Sequence, residues 1–321
     1  MASDNKTISL LGGTWQNTAM ENSTDNVQTE ALSELTQKQL ERLSYIDLRL
    51  YFLGDIGRQD LMRRFGIAPA MATRDFGVYR SFFPQNIIFD GRRKAYVTGN
   101  SFKPAFPHVP ERVLTALSQG FGDGANPAGE AMVRCELPTT LNRPSLEVLA
   151  PVTRAIHKQQ VIALNYHSHT SGLSKREIVP FAMVNDGLRW HARAFDRKSG
   201  EFRDFVFTRM EATEVVENSK IEPHEKIDAD DQWNRVVDLD LIPHPAQKSP
   251  NIIERDFGMT DGVKHVRMRA ANAGYILRYW QVDCSPDNSL SGPEYMLCLR
   301  EPLALYGVKN AFLAPGYKKP G

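Results

Sequence analysis

Over residues 34–97 the spacing of apolar residues changes from helical to strand-like. This order of elements is compatible with only a few folds. Apolar residues recur at three- and four-residue steps up to Leu53, which predicts a helix that ends at Gly54. Two shorter helices are predicted over about 58–65 and 69–83, because each has an apolar stripe bounded by a glycine or a proline. The segment therefore begins with three helices joined by tight turns.

A basic hairpin is predicted to follow the third helix. The strand-like runs 87–89 and 95–97 flank Asp90-Gly91, a dipeptide that favours a β-hairpin, and three consecutive cations lie at its tip. Residues 58–97 carry eight Lys or Arg and three Asp, an excess of +5 in a chain whose net charge is only +1. Three helices and a basic hairpin describe a winged helix-turn-helix, in which the third helix enters the major groove of DNA.

The cations of this segment divide into two predicted roles on double-stranded DNA. Thr73 and Arg74 lie on the third helix and are expected to reach base edges. The other candidates are expected to hold phosphates, which positions a protein without specifying sequence. These phosphate-binding candidates are Arg58, Arg63, Arg64, Arg92, Arg93 and Lys94. An ordinary solvated surface role is the alternative for any single arginine.

The sequence predicts an α+β multidomain protein. Its 321 residues allow two or three domains. The predicted regions are a mobile leader rich in Ser, Thr, Asn and Asp (1–33), the winged helix-turn-helix (34–100), a helical connector (101–158), a strand-rich domain (159–220) and a C-terminal α+β module (221–321).

Several functional classes lack their sequence hallmarks. No apolar run approaches the roughly 20 residues that span a bilayer, and the N-terminus does not resemble a secretory signal. The three cysteines form no CxxC pair, and there is neither a GxxxxGK phosphate loop nor a GxSxG elbow. We therefore expect a cytoplasmic protein that is not an enzyme, with no cofactor, no metal and no membrane partner.

Four strands with short turns are predicted in the strand-rich domain, over 161–166, 177–184, 188–195 and 201–207. Such closely spaced strands predict a small antiparallel sheet or a partly open barrel.

One face of that sheet is a candidate ligand site. Alternation along the strands places His191 with Arg193, and Arg203 with Arg209, while Tyr166 and Ser168 lie in the first strand. Cations, hydroxyls and aromatic rings on one face suit a phosphate and a stacked base, so a nucleotide or single-stranded nucleic acid is the expected ligand. The alternative is an ordinary solvated sheet face.

The segments 189–195 and 202–205, after a winged helix-turn-helix, resemble the WYL-domain transcriptional regulators. The closest resemblance is to the phage-defence-associated BrxR or CapW group, and it covers nearly everything after the leader. The name-giving triplet differs here, because Trp190 is followed by His191 and Ala192 instead of Tyr and Leu.

The resemblance implies a winged helix-turn-helix, a WYL domain with an Sm-like sheet and a C-terminal extension (WCX) domain. It also implies a homodimeric repressor that senses a ligand. Because a two-fold protein matches a two-fold operator, we expect it to bind an inverted repeat, and the phage-defence group predicts control of a phage-defence operon. By position in the family, the sensing residues would be Tyr166, Ser168, His191, Arg193, Arg203 and Arg209.

Other clusters are weaker candidates. His167 and His169 lack an evident third metal ligand, and the acidic run 228–231 is interpreted as a solvated turn. Arg267 and Arg269 share a strand face and are candidates to extend a partner subunit's pocket, with surface charge as the alternative.

Two rival functions stay open: a nucleic-acid-binding accessory factor without operator specificity, and a nucleotide-processing enzyme.

Overall fold

The computed structural model describes residues 32, 35–120, 131–139 and 141–319. The chain divides into two compact units, residues 1–137 and 138–321. Apart from Leu32, the predicted leader lies outside the described residues. In the part of the chain that is described, no helix has both the length and the apolar composition needed to cross a membrane.

The first unit contains three helices, a small sheet and a fourth helix. Its elements are α1 (Gln37–Leu53), β1 (Asp55–Ile56), α2 (Arg58–Phe65), α3 (Pro69–Phe82), β2 (Ile87–Asp90), β3 (Ala95–Thr98) and α4 (Pro110–Gln119). The strands pair antiparallel in the order β1-β3-β2. The predicted winged helix-turn-helix is confirmed, with the hairpin β2–β3 as the wing.

Local sequence sets the ends of these helices. The hydroxyl of Thr36 accepts a hydrogen bond from the backbone N–H of Gln39 and caps α1, and Gly54 ends α1 in the left-handed conformation. Pro69 occupies the start of α3, where its missing N–H costs no helical hydrogen bond. The predicted stripe of α1 contributes fully buried residues such as Leu43 and Ile46 to the core.

The second unit begins with one helix and an open five-stranded antiparallel sheet. These elements are α5 (Leu146–Lys158), β4 (Ile162–Ser168), β5 (Gly172–Asn185), β6 (Trp190–Asp196), β7 (Glu201–Val206) and β8 (Met210–Val215). The strand order is β7-β6-β5-β4-β8, so the sheet is open and not a closed barrel. The apolar stripe of α5, including Val148, Val152 and Ala155, packs into the core with residues from β4 to β7.

A second α+β layer follows in the same unit. It contains α6 (Asp231–Asn234), β9 (Val236–Pro243), α7 (Pro250–Asp256), β10 (Lys264–Arg269), α8 (Ala270–Tyr279) and β11 (Leu297–Leu299), with strand order β10-β9-β11. Alternate residues of β9 (Val237, Leu239 and Leu241) enter the core with Leu277 of α8. A Cβ on Gly274 of α8 would lie 1.9 Å from the backbone oxygen of Asn310, so only glycine allows this close packing.

Candidate nucleic-acid interface and sensing domain

The outward face of α3 carries the predicted base-reading residues. Thr73 and Arg74 are exposed, whereas Ala72, Phe76 and Tyr79 are buried on the opposite side. The hydroxyl of Thr73 donates to the carbonyl oxygen of Pro69, 3.0 Å away, within the same helix. The side chain of Arg74 is thus presented to solvent in the position that a recognition helix uses to reach base edges.

Two buried carboxylates hold α3 against α1. Arg42 donates to both carboxylate oxygens of Asp75, at 2.6 and 3.2 Å, and the Asp75 side chain is only 1% exposed. The hydroxyl of Tyr79 donates to Asp47, which is fully buried and lies 2.8 Å from the imidazole Nε2 of His108. Because both contacts are buried and charged, α3 is fixed in rotation about its axis.

The basic surface is more strongly positive than the sequence excess of +5 indicates. The charge of Asp75 is neutralised internally by Arg42, and Asp60 pairs with Arg49 at 3.1 Å. All eight cations of residues 58–97 are exposed: Arg58, Arg63, Arg64, Arg74, Arg80, Arg92, Arg93 and Lys94. A surface of this charge releases condensed counterions when it contacts DNA.

Asp90 shapes the tip of the wing. Its carboxylate accepts hydrogen bonds from the backbone N–H groups of Arg92 (2.8 Å) and Arg93 (3.2 Å), and it lies 3.7 Å from the Arg93 guanidinium. Lys94 closes the turn with a positive φ of 53°. The third acidic residue of the segment therefore organises the three cations of the tip.

The six predicted sensing residues do not share one face of the sheet. Arg193 lies opposite Asp204 and Ala194 lies opposite Arg203, so Arg193 and Arg203 point to opposite sides. Arg209 lies in a short 3-10 turn beyond the end of β7, not in a strand. The prediction that one face combines these residues is wrong, because the fourth strand ends before it reaches Arg209.

Two of the six contribute to local structure on β4. Tyr166 is 8% exposed, its hydroxyl accepts a hydrogen bond from the backbone N–H of Val206 at 3.2 Å, and its ring packs edge-on against Phe205. The hydroxyl of Ser168 accepts hydrogen bonds from the backbone N–H groups of the turn that follows β4. Arg203 and Arg209 are more accessible, and they contact Glu201 and His169 respectively.

Arg193 lies inside a buried ionic cluster. Its guanidinium donates to both oxygens of Asp230, at 2.8 and 3.1 Å, and to Asp204 at 3.2 Å. Asp230 in turn accepts hydrogen bonds from the backbone N–H groups at the start of α6. Burial lowers the pKa of Arg193, but the bonds to Asp230 and Asp204 outweigh it, so the net pKa is raised. We call Arg193, Asp204, Asp230 and Tyr275 the Arg193 cluster.

Tyr275 completes the cluster from α8. Its hydroxyl donates to Asp204 at 3.2 Å, and burial together with the negative charge of Asp204 raises the pKa of Tyr275. The ring of Tyr275 lies 5.2 Å from that of His191, whose Nε2 is 2.8 Å from Asp186. The other ring nitrogen of His191 is buried and has no hydrogen-bond partner within the described ranges. The cluster thus ties β6 and β7 to both α6 and α8.

The acidic run and the paired histidines do not form a metal site within the described residues, and only Asp230 among them is buried. Asp230 is 1% exposed, so the prediction of a solvated turn is wrong for this residue: the buried Arg193 requires a carboxylate partner. His167 lies 3.0 Å from Glu211, while His169 contacts Arg209, so the two imidazoles have different partners. Among the residues that the structure describes, no group of three or more His, Cys, Asp or Glu is arranged to hold a metal ion.

The two C-terminal arginines, Arg267 and Arg269, contact residues of their own layer. The guanidinium of Arg267 lies 2.7 Å from Asp238. Arg269 lies over the ring of Trp233, 4.7 Å from its centroid, and donates to the carbonyl oxygen of that residue. Asp204 and Asp230 were not assigned to Arg193 from the sequence. Asp204 lies directly opposite Arg193 in the β6–β7 hairpin, so the register of that hairpin was an available signal. Asp230 lies 37 residues away at the start of α6, and no local pattern connects it to Arg193.

Three family models match successive parts of the chain. Residues 38–119 match the BrxR transcriptional regulator winged helix-turn-helix domain, residues 147–215 match the WYL domain, and residues 236–305 match the BrxR transcriptional regulator C-terminal dimerization domain. The matches follow the order of the elements described above.

Curated relatives are similar over most of the chain. The DNA-binding transcriptional repressor CapW of Escherichia coli is 30% identical over 283 residues, which cover 84% of this chain and 91% of the relative. CapW of Stenotrophomonas maltophilia is 31% identical, covering 80% and 88%. CapW of Pseudomonas aeruginosa is 33% identical, covering 80% and 86%.

Proposed function

This chain belongs to the BrxR family of transcriptional regulators, which includes the CapW repressors, and we propose that it is a homodimeric repressor that binds an inverted-repeat operator and responds to a ligand. The observation that carries the proposal is the outward surface of the winged helix-turn-helix. Eight cations are exposed there. The buried Asp75 of α3 is neutralised by Arg42 of α1 and does not reduce the positive charge of the surface.

Specific binding requires both parts of this surface. Arg74 and Thr73 on α3 would read base edges, while the cations of α2 and the wing would hold phosphates. The buried pair of Asp75 with Arg42 supports this division, because base reading depends on a fixed rotation of the recognition helix. A loose helix would still bind phosphates but would lose discrimination between sequences.

The proposed homodimer is supported by the C-terminal layer, which matches a dimerization domain. Two copies related by a two-fold axis would place two α3 helices on half-sites of opposite orientation. An inverted repeat, spaced by whole turns of the duplex, is the operator that such a dimer fits.

The WYL sheet is the proposed sensing domain, with a nucleotide or single-stranded nucleic acid as ligand. Arg203 and Arg209 are accessible cations there, whereas Arg193 is accessible only to a ligand that displaces a carboxylate. A ligand phosphate that competed with Asp230 for Arg193 would release the cap of α6, which begins the C-terminal layer. Such a ligand shifts the dimer only if it binds the two states with different affinity.

A footprint on the DNA upstream of the protein's own gene tests the repressor proposal. The expected result is protection of two adjacent segments in inverted orientation, with transcription from that promoter reduced when the protein is present. The accessory-factor alternative predicts uniform, weak protection that does not depend on sequence. A sequence-independent footprint and an unaffected promoter would reject the proposal.

Control of a phage-defence operon is part of the same proposal and is tested by mapping the promoter that responds.

A further inference from the structure

Gly77 lies in the interior of α3 and is exposed. Glycine in the middle of a helix is less stable than alanine, because its backbone loses more conformational freedom on folding. A glycine at such a position usually has a reason within the fold, either an unusual backbone conformation or a neighbour that leaves no room for a side chain.

Neither reason applies inside this chain. Gly77 is not among the described glycines with a positive φ, so any residue can adopt its conformation. A Cβ built on Gly77 would meet no atom within 4 Å in the described part of the molecule. By contrast, a Cβ on Gly274 of α8 would collide with the backbone of Asn310. The space over Gly77 is therefore open in the free protein.

Gly77 is also the centre of the outward face of α3. At about 100° per residue, Thr73 lies about 40° to one side of Gly77, while Arg74 and Arg80 lie about 60° to either side. Both arginines are exposed, and among the described residues neither pairs with an acid. The helix thus presents bare backbone at one point on its outer midline, with one cation on each flank.

We propose that Gly77 is the point at which the backbone of α3 approaches duplex DNA most closely. This inference rests on the proposed DNA-binding function. With no side chain on the midline, the helix enters deeper into the major groove, which is only about 12 Å wide. Arg74 and Arg80 then extend toward the two walls of the groove, where phosphates and base edges lie. Arg80 therefore joins the DNA-contacting residues.

The test compares Gly77→Ala and Gly77→Leu with the wild-type protein, using a duplex that the wild-type protein selects from a random library. Fluorescence anisotropy gives the Kd, and thermal unfolding followed by circular dichroism gives the stability. Alanine is expected to raise the melting temperature yet weaken binding by about tenfold, comparable to the loss of one base contact. Leucine is expected to weaken binding further, because its side chain is larger.

Thr115→Leu is the matched control. Thr115 is exposed on α4, outside both α3 and the wing, so a leucine there adds similar bulk to a helix surface that is not proposed to contact DNA. The affinity of this variant is expected to equal that of the wild type. If Gly77→Ala and Gly77→Leu bind as tightly as the wild type, this inference is overturned while the proposed function stands. If the wild type itself binds no duplex specifically, the proposed function is rejected and this inference with it.

Discussion

At the scale of single residues, Arg193 shows how a charge that suits a ligand can instead be part of the fold. Its side chain is 6% exposed, and its guanidinium contacts two carboxylates, one of which caps α6. Burying such a charge is costly unless its partners are present, so the cluster depends on all its members. The cation at the centre of the expected sensing face is thus committed to an internal ionic network.

Arg193→Ala is expected to destabilise the protein by roughly 3–5 kcal/mol, because it leaves Asp230 and Asp204 buried without their cation. Arg203→Ala is the matched control, since its pair with Glu201 is exposed and contributes about 0–1 kcal/mol. Urea unfolding of the two variants gives the comparison. Equal losses would contradict the internal role of Arg193, and Arg203→Ala is accordingly the better variant for testing ligand response.

Glu225 is expected to make the stability of the protein depend on pH. Hydrogen bonds from Arg197 hold the pKa of Glu225 below its usual 4.5, against the opposing effect of burial. A carboxyl with a lowered folded-state pKa adds stability that is complete above its unfolded pKa and is lost as the pH falls through the folded value. Glu225→Gln should therefore flatten the loss of melting temperature below about pH 4.5. An acid profile identical to that of the wild type would refute this role.

Arg74 is the residue proposed to contribute most to recognition of the DNA sequence. Arg74→Ala is expected to cost roughly 1–3 kcal/mol on the selected operator while leaving binding to unrelated DNA nearly unchanged. Competition of both duplexes in one binding assay measures the difference directly. Equal weakening on both sequences would assign Arg74 to phosphate contacts instead.

At the scale of elements, helices and the wing were predictable where local pattern decides the structure. The stripe of α1, the glycine that ends it and the Asp-Gly hairpin are local features, and the structure places them as predicted. The strands β8 and β9 were missed for different reasons. β8 follows a 3-10 turn and is irregular, with a register shift against β4. β9 has clear alternation of apolar residues with aspartates, a pattern that was available in the sequence.

Candidate site residues were less predictable than the elements that carry them. Alternation placed His191 and Arg193 correctly on one side of β6, and both are buried. Two partners are local: Asp186 lies in the turn before β6, and Asp204 lies opposite Arg193 in the β6–β7 hairpin. The partners from α6 and α8 are brought to the strand only by the tertiary fold. Whether an arginine faces solvent or a buried carboxylate is decided by such long-range packing.

The wing is the element proposed to contribute equally to binding of all DNA sequences. Replacing Arg92 and Arg93 with alanine should weaken binding to every duplex and reduce the slope of log affinity against log salt by about two. The control removes two exposed cations that lie away from the wing, by Lys38→Ala with Arg112→Ala. A salt series by gel shift gives the slopes. An unchanged slope for the wing variant would rule out its phosphate contacts.

At the scale of the whole molecule, the three matched regions occur in the order of a winged helix-turn-helix, a WYL domain and a dimerization domain. The Arg193 cluster joins the second and third of these within one compact unit, since it links strands of the WYL sheet to α6 and α8. A change at the sheet therefore has a direct, buried connection to the layer proposed to hold the dimer together.

Two copies of α3 are proposed to bind the two halves of an inverted repeat. Selection of bound duplexes from a random library by the full chain, followed by sequencing, is the decisive test. The expected result is an enriched inverted repeat with half-sites spaced by whole helical turns, about 10–10.5 base pairs centre to centre or a multiple. Enrichment of a single half-site, or of no sequence at all, would contradict it.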